Sequence, residues 1–202
     1  TDTYDNADGK WTELCNSPNG LYISFKYRDQ EILPEEGPLK KGTFRQGLTL
    51  CRGKSFGEFQ WVGPDGEELS FRFERFALYD DIHVLAQRVV LHSREEISLN
   101  YISGIDGDVW SLNGEHLQKI SHKEKEEALV LRSSTSEKDL PLVVCHGVSI
   151  HQEQEGDNSA VYPVEIEAPR VTSGDRSIFR EGRVKVPAGG ELVFHVYMSV
   201  FS

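Results

Sequence analysis

Hydrophobic and polar side chains alternate with a period of two along much of this chain, a spacing that fits half-buried β-strands and not helices. Leu21, Ile23, Phe25 and Tyr27 fall on one side, with Tyr22, Ser24 and Lys26 on the other. Leu69, Phe71 and Phe73 alternate with Ser70, Arg72 and Glu74, and Ile97, Leu99 and Tyr101 with Ser98 and Asn100. Val164, Ile166 and Ala168 alternate with Glu165 and Glu167. Residues 85–91 and 140–144 are apolar enough for central strands, and the last run sets Leu192, Phe194 and Val196 against Val193, His195 and Tyr197. Turn chemistry separates these runs. Pro64-Asp65-Gly66 links a strand at 59–62 to the one at Leu69. Asp106-Gly107 and Asn113-Gly114 read as hairpin turns, because both pairs favour positive φ. Gly156-Asp157-Asn158 and Gly189-Gly190 predict two more turns. The charged run 122–127 reads as a turn of helix or a solvated loop, and 133–138 as a polar loop. Roughly a dozen short strands at this spacing predict an all-β, antiparallel, two-sheet sandwich.

The 202 residues suffice for one large β domain. With 33 acidic and 22 basic side chains the net charge is -11, which repels phosphate backbones and argues against nucleic acid but not against neutral sugars. Cys15, Cys51 and Cys145 are an odd count without metal-ligand spacing, so a disulfide framework is not expected and a reducing cytoplasm is. No apolar run approaches the roughly 20 residues of a membrane-spanning helix. The only methionine is Met198, so Thr1 reads as following a removed initiator or an artificial cut.

Chemistry-bearing patterns are sparse. The pairs Asp80-Asp81 and Glu35-Glu36 read as solvated loop residues, and Asp106 as a turn former whose carboxylate accepts from the backbone two residues on. The seven histidines show no H-E-x-x-H or H-x-H spacing, so no metal site is predicted. His146 and His151 sit at odd separation and point to opposite faces of one strand, as do Cys145 and His146, which removes a thiolate–imidazole pair. Gly53-Lys54-Ser55 lacks the rest of a phosphate loop, and no cofactor is expected. Trp11, Trp61 and Trp110 are candidate sugar-stacking platforms, with Trp61 and Trp110 the binding candidates and Trp61 favoured by its place beside a turn. Glu74 with His146 or His195 is the one pair to weigh as base and acid.

The ordered motifs resemble the N-terminal β domain of glycoside hydrolase family 65. They are Leu48-Thr49-Leu50-Cys51-Arg52-Gly53 running to Trp61, then Glu74-Arg75-Phe76, then Ser103-Gly104-Ile105-Asp106-Gly107 with Val109, and a fainter echo at 131–135. The resemblance implies a galactose-mutarotase-like supersandwich over residues 1–202, lacking the family's first strands and its helical catalytic barrel. It implies a non-catalytic structural domain of an inverting disaccharide phosphorylase or hydrolase of α-glucosides, partnered by that barrel and contributing to dimer contacts. No catalytic residue of the family falls on this chain, and Glu74 and Asp106 join the two tryptophans as binding candidates. The alternatives are a stand-alone sugar-binding sandwich and a mutarotase-like enzyme. Because the last strand is apolar on both faces, residues 193–201 are expected to offer a self-association surface.

Overall fold

The computed structural model of the chain describes residues 3–33, 42–153 and 161–202. The described residues form sixteen strands and one short 3-10 turn at Leu50–Arg52. In chain order the strands are β1 Tyr4–Ala7, β2 Trp11–Leu14, β3 Asn19–Tyr27, β4 Gln30–Glu31, β5 Arg45–Thr49, β6 Lys54–Val62, β7 Glu68–Ala77 and β8 Val84–Ser93. They continue as β9 Ile97–Asp106, β10 Leu117–Lys125, β11 Ala128–Thr135, β12 Pro141–Glu153, β13 Val161–Pro163, β14 Glu167–Ser173, β15 Ser177–Val186 and β16 Glu191–Phe201. A nine-stranded sheet has the order β10-β11-β12-β16-β8-β7-β6-β5, with β13 beside β12. A five-stranded sheet has the order β14-β15-β9-β3-β4, and β1 and β2 form a separate hairpin. The strand pairings are antiparallel throughout.

The core lies between the two large sheets and is built by the predicted alternation. Phe59, Trp61, Leu69, Phe71, Val89, Leu91, Leu192, Phe194 and Val196 come from one sheet; Phe25, Ile97, Leu99, Tyr101, Val184 and Val186 come from the other. Phe194 packs edge-on to both Phe25 and Tyr101, at ring-centroid distances of 5.1 and 5.6 Å, an arrangement that aromatic quadrupoles favour. A smaller cluster around Ile105, Leu131, Val144, Ile178 and Met198 extends the core toward β11.

Several expectations change in the fold. Residues 122–127 are neither helix nor loop: most of them belong to β10, the edge of the large sheet, and Glu126 turns the chain with φ 57°. Charged side chains on an edge strand discourage pairing with other chains, so the composition that suggested a loop suits this edge. Asp106-Gly107 is not a hairpin; β9 ends there and the chain crosses toward β10 in the other sheet. Gly107 is required by close approach, because a Cβ there would lie 2.4 Å from the Arg176 carbonyl oxygen. Asn113-Gly114 does close a tight turn, held by reciprocal backbone bonds between Ser111 and Gly114. The predicted strand at 164–168 starts only at Glu167. β16 runs between β12 and β8, inside the large sheet. Val193 is fully buried, so it offers no self-association surface, although Tyr197 is exposed. The Glu35-Glu36 pair and the turn at 156–158 lie outside the described residues.

Candidate functional site

The alternation that fills the core leaves a second set of side chains on the outer face of the large sheet. Glu74 alternates with Phe73, Arg88 with Val89, and His195 with Phe194. Register places Glu74 opposite Arg88, Arg88 opposite His195, and His195 opposite Ser149. Glu74 and His195 therefore share a face and stand two strand spacings apart, roughly 10 Å. His146 points the other way, into the core, so the structure separates it from Glu74.

This row is a chain of paired charges. Lys54 Nζ donates to Glu74 Oε1 at 2.6 Å. Arg88 Nη2 donates to Glu153 Oε2 at 3.0 Å, and His151 Nε2 lies 2.9 Å from Glu153 Oε1. The His151 and His195 rings are 4.9 Å apart. The Lys54 hydrogen bond holds the Glu74 carboxyl below its usual range against some desolvation. Burial pushes Glu153 up, but His151 and Arg88 outweigh it and the net direction is down. Burial lowers His195, and the neighbouring His151 and Arg88 lower it further. Elsewhere too, each described carboxyl with a displaced pKa is displaced downward. A general acid for glycosidic oxygen needs the opposite, a carboxyl held protonated near neutral pH. Arg88 also occupies the space between Glu74 and His195 that a base and an acid would have to share with a sugar ring.

The other sequence candidates separate widely. Trp61 is fully buried in the core between β3 and β7, with the Tyr27 ring 5.4 Å away, so it cannot stack on a sugar. Its position beside a turn suggested exposure, but the turn only begins where the indole is already covered. Trp110 is 69% exposed and Trp11 is exposed as well. Asp106 does what its sequence position implied: Oδ1 accepts the Asp108 amide at 3.0 Å. Asp81 does the same for His83 at 3.1 Å.

One buried constellation had no sequence signature. Asp5 on β1, Cys15 after β2 and His116 before β10 are all buried, and one ligand-type atom from each lies within 4.8 Å of the others. His116 Nδ1 is 3.2 Å from Asp5 Oδ2, and Nε2 is 2.5 Å from Glu13 Oε1. Asp5 also accepts from Ser136 Oγ and from the Glu137 and Lys138 amides. Burial raises the Asp5 carboxyl, but these bonds together bring it down to about 2. Burial, with the Asp5 charge adding, raises the Cys15 thiol. More than a hundred residues separate His116 from the rest, so no local spacing could announce the cluster.

The architecture defines the class as a large antiparallel two-sheet supersandwich. The chain belongs to glycosyl hydrolase family 65, whose N-terminal domain matches residues 1–202. It is 35% identical to the 1,2-alpha-glucosylglycerol phosphorylase of Bacillus selenitireducens over 120 residues, 58% of this chain and 15% of that protein. It is 24% identical to the nigerose phosphorylase of Lachnoclostridium phytofermentans over 123 residues, 60% of this chain and 16% of that protein. A solved structure assigned as a kojibiose phosphorylase, from human microbiome, superposes with a TM-score of 0.78 over 94% of this chain and 23% of its own, at 12% identity. That likeness carries the fold. The matched region is thus a small part of each relative.

Proposed function

We propose that this chain is the structural, non-catalytic domain of a longer phosphorylase that splits an α-glucoside with inorganic phosphate. The observation that carries the reading is the outer face of the large sheet. Glu74 and Glu153 there are paired with Lys54, Arg88 and His151 and held ionised, so neither is prepared to protonate a leaving oxygen. The relatives named as phosphorylases supply the reaction class, and their much greater length leaves room for the reacting groups elsewhere. The chemistry then falls to the helical-barrel domain of the parent, which this sandwich supports. The chain alone should release no glucose 1-phosphate from 1,2-α-glucosylglycerol, nigerose or kojibiose with phosphate, while the longer protein carrying it should. Turnover by the chain alone, lost on Glu74→Gln, would overturn the structural role. Release of free glucose by the longer protein without phosphate would overturn the phosphorylase assignment.

A further inference from the structure

We propose that Asp5, Cys15 and His116 form a binding site for a zinc-class divalent cation, with Glu13 orienting the imidazole.

Donor chemistry comes first. A thiol, an imidazole and a carboxylate form the mixed set that suits zinc, which accepts sulfur, nitrogen and oxygen ligands in one tetrahedral shell. The geometry agrees. Bonds of about 2.0 Å in a tetrahedral shell imply nitrogen–oxygen edges of about 3.3 Å. The Nδ1–Oδ2 separation is 3.2 Å before any cation is considered. The supporting shell is in place as well. Metal-bound imidazoles usually hand their second N–H to a carboxylate, and ligating carboxylates are themselves hydrogen-bonded. Here Nε2 meets Glu13 Oε1, while Asp5 is held by Ser136 and by the Glu137 and Lys138 amides. Glu13 is fixed in turn by Asn113, through its backbone amide at 3.2 Å and its side-chain amide.

The donor set also matches the charge of the ion: the Asp5 carboxylate and the thiolate left on Cys15 when a divalent cation displaces the thiol proton carry two negative charges.

The fold gives the site a purpose. The β1–β2 hairpin pairs with neither large sheet, and a two-stranded hairpin alone is marginally stable in water. A cation held by Asp5 and Cys15 on one side and His116 on the other would staple the hairpin across more than a hundred residues of chain. Binding free energy at such a site becomes folding free energy.

The test is titration of the reduced chain with Co2+ alone, followed by absorbance. The site predicts one equivalent bound, with visible bands of a tetrahedral ion and a near-ultraviolet thiolate-to-cobalt band. Cys15→Ser should abolish the near-ultraviolet band while leaving the metal-free melting temperature within a few degrees, because the Asp5–His116–Glu13 contacts remain. Cys51→Ser, at an exposed thiol outside the cluster, should leave the spectrum unchanged. Zn2+ should displace Co2+ and raise the melting temperature of the wild type more than that of Cys15→Ser. No tetrahedral spectrum at millimolar Co2+, or one that survives Cys15→Ser, would overturn the proposal.

Discussion

The two fully enclosed histidines, His146 and His116, sit in opposite surroundings. His146 lies between the sheets; its Nδ1 donates to the Gly20 carbonyl at 2.8 Å, and Nε2 faces the Ser103 hydroxyl at 3.2 Å. Among the described residues no carboxylate meets either ring nitrogen, and burial lowers its pKa, with the Gly20 bond opposing and the Arg180 charge adding. His116 lies in the N-terminal corner between two carboxylates. The same side chain is thus a hydrogen-bonding filler between the sheets in one region and a clasp between two carboxylates in the other. The contrast teaches that this domain is held in two ways: by apolar burial between its large sheets, and by a compact polar knot where a short hairpin has too little apolar surface to hold itself.

The largest expected effect tests the apolar half. Phe194 is fully buried against Phe25 and Tyr101, and Phe194→Ala should cost about 3–5 kcal/mol, read from urea unfolding monitored by fluorescence. A cost under 1 kcal/mol would show that the sandwich does not depend on this contact. Next comes the knot. Asp5→Ala strips the acceptor from two backbone amides, Ser136 and His116, and should cost about 1–3 kcal/mol. The loss should be local: hydrogen exchange should quicken in residues 4–14 and 136–138 and stay slow in β8 and β16. Uniform acceleration would merge the two regions into one cooperative unit.

Acid separates them further. The folded pKa of His146 is depressed, so below about 6.5, the ordinary histidine value, the unfolded chain binds the extra proton first. Stability from this group is therefore present above about pH 6.5 and lost as pH falls toward the folded value. The loss is at most about 1.4 kcal/mol per pH unit. His195 is shifted the same way and adds the same sign. Urea midpoints at pH 7.5 and 5.5 should differ accordingly, and His146→Gln should shrink the difference. An unchanged pH dependence in that variant would mean that His146 is not the responsible group. The smallest effect is at Trp110, 69% exposed: Trp110→Ala should alter stability by under about 0.5 kcal/mol.

The apolar half was legible in the sequence because period-two alternation is a local signal and sheet packing obeys it. Leu69, Phe71 and Phe73 predicted β7 and its inward face, and the alternation at 97–101 predicted β9. The same rule correctly turned Cys145 away from His146. Reading failed where a residue's role depends on distant chain. Trp61 could not be told from a surface indole without knowing that β3 covers it. Residues 122–127 carry an edge strand's charges, which locally match a loop's. The last strand's two apolar faces suggested an interface; the strand runs between β12 and β8, and of its outward residues Val193 is buried while Tyr197 is exposed. The knot at Asp5, Cys15 and His116 joins three segments that no window of sequence contains.

The most direct test of the proposal that this domain supports catalysis without entering it uses the longer phosphorylase proposed to carry the chain. The double variant Glu74→Gln, His195→Gln removes the acid and base candidates that the sequence singled out and that the fold places on one face. General acid–base groups contribute roughly 10²–10⁴ in rate. The account predicts a kcat for phosphorolysis within about threefold of wild type, measured well below the melting temperature of the variant. A fall of a hundredfold or more in kcat under the same condition would contradict it.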